Sequence, residues 1–153
     1  MLRDVRLRAL RSDPSAFGST YEREVGLTDD DWESWAVRAA DGPAQYLVVA
    51  AQDDRLVAMA GAYQPEGDAN TRRLYGMWVS PDSRGMGIGG RLVAAVKQWS
   101  IQSGASEISL WVVKANETAR RIYLKSGFYE TEETQPLPSN PELIEVRMIL
   151  PLD

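Results

Sequence analysis

The chain has 153 residues, 44% of them hydrophobic and 25% charged, enough for one domain with a sizeable core. It holds neither cysteine nor histidine, which excludes disulfides, a thiol nucleophile, a Ser-His-Asp triad and most zinc sites. A net charge of −5 argues against a general nucleic-acid binder, and no apolar run nears the ~20 residues of a membrane span. The charged opening MLRDVRLRALRSD is unlike a signal peptide, so a cytoplasmic protein without metal, nucleic-acid or membrane partners is expected.

Leu2, Val5, Ala9 and Leu10 stand among arginines at near-helical spacing and predict a first helix, Leu2 to Arg11, ended by Asp13-Pro14. Thr28-Asp29-Asp30-Asp31 has the form of a capping box. Trp32, Trp35, Ala36 and Ala39 follow as an apolar stripe, predicting a second helix that Gly42-Pro43 stops. Tyr46 to Ala51 and Leu56 to Tyr63 read as a hairpin about Asp53-Asp54. After the loop Gln64 to Asn70, Arg73 to Val79 is a third strand. Ile88, Leu92, Ala95, Val96 and Trp99 repeat at helical spacing up to Gly104, and Ile108 to Val113 is a fourth strand. Asn116 caps a helix over Glu117 to Lys125, closed by Gly127. Phe128 to Thr134 and Ile144 to Leu150 are two last strands around a Pro-rich loop, Pro136 to Pro141. No repeat or linker interrupts this order, which predicts a single α/β domain, residues 1–153, built on a mixed sheet.

The stretch SPDSRGMGIGGRL, Ser80 to Leu92, places four glycines between Gly85 and Gly90. Each costs roughly 0.5–1 kcal/mol against alanine inside a helix, so the backbone there must gain something by close approach. Gly85-x-Gly87-x-x-Gly90 matches the dinucleotide fingerprint in letters, but five residues separate the strand from the first glycine, and Lys114 ends the next strand where an acid belongs. Gly85-x-x-x-x-Gly90 also resembles a P-loop, yet Arg91-Leu92 replaces Lys-Ser/Thr. A flexible turn without ligand is the plain alternative. Arg84-x-x-Gly87-x-Gly89 fits better: unpaired N–H groups at a helix N-terminus favour a pyrophosphate, and Arg84 adds a positive charge at the mouth.

With that turn after an apolar strand, the sequence resembles the GNAT superfamily of acetyl-CoA-dependent N-acetyltransferases. The second half of the family pattern follows: the strand ISLWVV, then Asn116, Ala119, Tyr123 and Gly127-Phe128. The opening RLRALRSDPSAFGSTYEREV resembles the acceptor-side helices of bacterial members, so the likeness covers nearly the whole chain. The family pattern opens with a strand before this helix and the sequence shows none. A six-stranded sheet with one exposed edge is therefore expected, and that edge, with the apolar closing strand Ile144 to Leu152, suggests a homodimer.

The resemblance implies direct acetyl transfer from acetyl-CoA to a primary amine, without an acyl-enzyme and without a metal. Backbone groups of Met77, Trp78 and Val79 would hold pantetheine and the carbonyl. The N–H groups of Arg84, Gly85, Met86, Gly87, Ile88, Gly89 and Gly90 would hold the pyrophosphate, and Asn116 and Ala119 would touch the cofactor. Tyr123 is the implied general acid, two helical turns from Asn116 on the same face; a core aromatic against Phe128 is the other reading of it. The base stays open: Glu22 and Glu24 are candidates, each also readable as a solvated acidic face, and a water chain is the third. Phe17, Tyr21, Trp32 and Trp35 line either an acceptor pocket or the core. The acceptor is a small-molecule amine or a peptide N-terminus, and a non-catalytic acyl-CoA-binding or sensing domain is the alternative function.

Overall fold

The apolar patterns assemble into one six-stranded sheet of order β1-β2-β3-β4-β6-β5, with helices on both faces. The structure, a computed structural model, describes residues 1–153, the Asp41 side chain excepted. Its elements are α1 (Leu2–Ser12), α2 (Tyr21–Val25), α3 (Asp29–Asp41), β1 (Gln45–Gln52), β2 (Arg55–Tyr63), β3 (Thr71–Val79), α4 (Ile88–Gln102), β4 (Glu107–Val113), α5 (Glu117–Lys125), β5 (Tyr129–Leu137) and β6 (Asn140–Pro151). The Thr28–Asp31 capping box forms as expected, with the Asp31 N–H donating to Thr28 Oγ1 and the Thr28 N–H to Asp31 Oδ2. No helix is long and apolar enough to cross a membrane among the described residues.

Alternation along the strands separates two cores. Ala58, Ala60, Ala62, Leu74, Ile108, Leu110, Val146 and Met148 face the rear and pack on α4 and α5. Met59 and Trp78 face the front, where α1 brings Val5, Ala9 and Leu10 and the following loop brings Phe17.

Two expectations are corrected. The Pro-rich segment is no loop: β5 runs through Pro136 and Leu137, β6 starts at Asn140, and only a tight turn joins them. Pro136 is tolerated because β5 is an edge strand, where a missing N–H leaves no ladder bond unmade. The closing strand β6 lies between β4 and β5 rather than at an edge, and Val146, Met148 and Leu150 serve the core. The sheet has two edges, β1 and β5.

Strand register locates the site. β3 and β4 run parallel but pair only from Thr71–Arg73 to Glu107–Ser109. Beyond Arg73, β3 stays on β2 and β4 stays on β6, so a split opens toward the C-terminal ends of both strands. β3 also carries a bulge: Met59 faces Trp78 while Gly61 faces Tyr75, which sets Gly76 and Met77 of β3 against Ala60 alone of β2. Gly76 is in the bulge at φ +63°, a conformation glycine adopts at no steric cost.

Candidate active site

The glycine turn leads from β3 into α4 and overhangs the split. Gly85 (φ +80°) and Gly87 (φ +77°) turn the chain left-handed, and a Cβ on either would meet nothing within 4 Å. Gly87 is the N-cap of α4 with no side-chain cap, and the helical ladder starts only with the Arg91 N–H donating to Gly87 O at 3.2 Å. None of the six consecutive N–H groups from Gly85 to Gly90 finds an acceptor among the described residues. These six amides stand at the positive end of a 15-residue helix, and the space beside Gly85, Gly87 and Gly90 is open. Gly89 differs from its neighbours. Its Cβ would lie 3.1 Å from Ile122 Cδ1 and from Met77 Cε, so it is a close-packing position between α4, α5 and β3.

Arg84 corrects an expectation. Its guanidinium turns back from the mouth: Nε donates to Val79 O at 2.9 Å and Nη2 to Asp13 Oδ2 at 2.8 Å. Asp13 also accepts from Trp78 Nε1 at 2.8 Å and from the Ser12 hydroxyl. Burial works against the Asp13 carboxylate, but hydrogen bonds from Ser12, Trp78 and Arg84 outweigh it and hold the carboxyl below its usual range. The charge of Arg84 thus locks the end of β3 to the end of α1, and the glycine turn offers its amides alone. The sequence marked Asp13 only as a helix stop. Met77, Trp78 and Val79 line the split with backbone, while the Trp78 ring is buried under α1.

Across the split, Asn116 caps α5 by accepting from the Ala119 N–H at 3.2 Å. Tyr123 lies seven residues on, edge-on to Phe128 with ring centroids 5.7 Å apart, and is 6% exposed. Burial pushes its phenol up, so it stays protonated, and its hydroxyl bonds to no described residue.

The front of the split is walled by α1, α2 and α3. Arg6 and Glu24 form a buried bidentate pair, Nε–Oε2 and Nη2–Oε1 both at 2.8 Å. Glu24 is therefore neither a solvated face nor a free base; Glu22 is exposed. The Arg6 guanidinium carbon lies 4.9 Å from the Phe17 ring centre and 5.7 Å from that of Trp35. Trp35 Nε1 donates to Tyr75 Oη at 3.1 Å, and Tyr75 in turn meets Tyr63 edge-on. Desolvation raises the Tyr75 phenol. Trp32 is buried beside Trp35, and Tyr21 takes a hydrogen bond from Arg11 Nη2 at the rim. The sequence did not single out Arg6, Tyr75 or Gly76. A glycine inside an apolar strand is the signal that marks the bulge. No three His, Cys, Asp or Glu side chains gather to hold a metal among the described residues.

Residues 7–128 match the Acetyltransferase (GNAT) family. Among curated proteins the chain is similar to the uncharacterized N-acetyltransferase YhfO of Bacillus subtilis (strain 168), 28% identical over 87 residues, covering 55% of this chain and 58% of the relative. The chain matches only about half the length of the curated relatives. Among solved structures it is similar to an acetyltransferase of the GNAT family from Streptococcus pneumoniae (TM-score 0.81, 19% identity, 99% of this chain and 92% of that one). It is also similar to yncA from Salmonella typhimurium, a structure with its cofactor acetyl-CoA (TM-score 0.80, 18% identity, 99% and 87%). At these identities the structures speak for the fold.

Proposed function

Because the chain belongs to the GNAT acetyltransferase family, we propose that it transfers an acetyl group from acetyl-CoA to a primary amine by direct attack. The observation that carries this reading is the run of six unpaired amides, Gly85 to Gly90, at the mouth of the β3/β4 split. Acetyl-CoA, when bound, supplies an activated thioester. The amides hold its pyrophosphate, and the β3 backbone from Met77 to Val79 takes the arm that enters the split, with Asn116 and Ala119 on the opposite wall. Met86, exposed at the turn, and Ile88, buried beneath it, flank that path.

Tyr123 is the proton donor for the departing sulfur. Burial raises its pKa, so the phenol has a proton to give and is no base, while the same burial opposes the phenolate that donation leaves behind. Glu24 is spent on Arg6, so the amine's proton leaves to water. The aromatic front wall of Tyr63, Tyr75 and Trp35 is the surface against which a small amine or a peptide N-terminus is received.

The test is thiol release from acetyl-CoA over a panel of small amines and peptide N-termini, beside a thermal-shift screen with acetyl-CoA, NAD and ATP-magnesium. Stabilisation by acetyl-CoA alone, unaffected by EDTA, with release in at least one amine is the expected result. Stabilisation without release across the panel would favour an acyl-CoA sensor; no response to acetyl-CoA would overturn the reading.

A further inference from the structure

On the front of the sheet, α1 packs on β2 and α3 on β1, and beyond them β3, β4 and β6 present a strip of side chains. Register sets Arg73 of β3 between Tyr63 of β2 and Ser109 of β4, and sets Trp111 of β4 beside Arg147 of β6. Alternation gives these residues one face, because Leu74, Ile108, Leu110, Val146 and Met148 turn to the rear core. Tyr63, Arg73, Tyr75, Trp111 and Arg147 are all partly exposed, so solvent reaches the strip.

Arg73 is the unmatched charge there. Its side chain makes no hydrogen bond or ion pair to any described residue; Nε is enclosed without an acceptor, and the terminal nitrogens are its accessible end. Its cross-strand neighbours, a tyrosine and a serine, supply no carboxylate. The acids of this face are placed elsewhere. Glu133 holds Arg147 Nη1 at 2.7 Å, Glu107 accepts from the Thr71 hydroxyl, and Glu145 stands opposite Val113, four residues along β4 from Ser109. A half-desolvated guanidinium without a partner is a costly thing to keep, and its flat fork matches a carboxylate. Position ties the fork to the transfer. Tyr75 is two residues on, and the Gly76 bulge, beside the opening of the split, comes next. Arg73 to Gly76 is roughly 10 Å of strand, a span that an arginine side chain and a small molecule cover together.

We propose that Arg73 binds a carboxylate of the acceptor, so that the amine acetylated is that of a free amino acid lying along the front of β3 against Tyr63 and Tyr75. This assignment rests on the acetyl-transfer reading above and names its substrate class.

Phenylalanine, methionine and lysine, each beside its carboxamide, give matched pairs that differ at the carboxylate. In thiol release from acetyl-CoA the wild-type chain should favour the acids by at least ~10-fold in kcat/KM, the worth of one hydrogen bond to a charged group. Arg73→Gln should erase that preference through KM and leave acetyl-CoA affinity within ~2-fold; Arg73→Lys, a cation without the fork, should keep part of it. Equal use of acids and amides by the wild type, or an unchanged preference in folded Arg73→Gln, overturns the proposal and leaves acetyl transfer standing. Failure of acetyl-CoA to bind the wild type overturns both. Where no pair turns over or neither variant folds, the arginine Nε–H resonances of the CoA-bound wild type decide: one should shift with the acids and not with the amides, and the absence of such a shift refutes the assignment.

Discussion

The two faces of the sheet offer unpaired hydrogen-bond donors by opposite means. At the rear mouth, six unpaired amides of one continuous turn, exposed at Gly85, Met86, Gly87 and Gly90, carry no formal charge and need only glycine's left-handed freedom at Gly85 and Gly87. At the front, a single nitrogen of Arg6 is shut away from water and held by a carboxylate eighteen positions along the chain and two aromatic rings. The first arrangement costs the fold almost nothing, because bare helix-end amides are normally solvated. The second puts two charges in a dry place and makes each the condition of the other. Local sequence can write the first; only tertiary structure can write the second.

The contrast breaks most sharply at Glu24. Glu24→Ala leaves a buried guanidinium unpaired and should cost about 3–5 kcal/mol in urea unfolding, whereas Arg6→Met with Glu24→Leu should recover most of that stability. A Glu24→Ala loss under about 1 kcal/mol would show the pair to be hydrated like a surface one.

Gly87→Val probes the other face. A β-branched residue at φ +77° strains the turn and places its Cβ where the phosphate approaches, so acetyl-CoA affinity should fall at least ~100-fold by calorimetry. Gly89→Val makes a useful companion: its Cβ would press on Ile122 and Met77, so stability should fall by about 1–3 kcal/mol as well.

Tyr123 sits between the extremes, a buried ring with a lone hydroxyl and no charge to balance it. Tyr123→Phe should lower kcat at least ~10-fold with a responsive amine and leave the melting temperature and the acetyl-CoA Kd nearly unchanged. Full turnover in the variant would return the proton-transfer role to water.

The smallest effect is expected at Glu145, a buried carboxylate on β6 whose side chain accepts one hydrogen bond, from Gln135 Nε2 at 2.9 Å. Desolvation raises its pKa above the ordinary glutamate range, outweighing that bond. A raised folded-state value means the folded chain holds the proton more tightly, so its stabilising contribution is present at low pH and is lost as pH rises through the shifted value. Glu145→Gln should therefore raise the melting temperature near pH 7, and the gain should fade as pH falls through the raised value and be gone below about 4. A gain independent of pH would assign the effect to packing.

Much of this was legible in advance. Apolar spacing in Ile88–Trp99, the Thr28 box and the Asn116 cap are short-range patterns, and each element formed where the pattern put it. The glycine turn was readable because helix-end amides are a local property. Glu24 and Arg84 were misread because a charged residue's partner is chosen by the fold: Glu24 meets Arg6 across two helices, and Arg84 meets Asp13 from 71 positions away. Pro136 was misread because an edge strand forgives what a central strand would not. Gly89 carries the same letter as Gly87 and a different duty, set by Ile122 approaching from another helix.

The three-pair seam between β3 and β4 has a mechanical side. Arg72, 2% exposed, sits at that seam and ties the start of β3 to the end of α4: Nη1 reaches Ala69 O and Thr71 O, Nε the Ser103 hydroxyl and Nη2 the Ser103 carbonyl. The half-sheets β1-β2-β3 and β4-β6-β5 are joined by the three strand pairs at one end alone, like the arms of tongs. From that hinge to Val79 the arm of β3 is roughly 20 Å long, so a rotation of about 6° between the halves would displace its tip by about 2 Å.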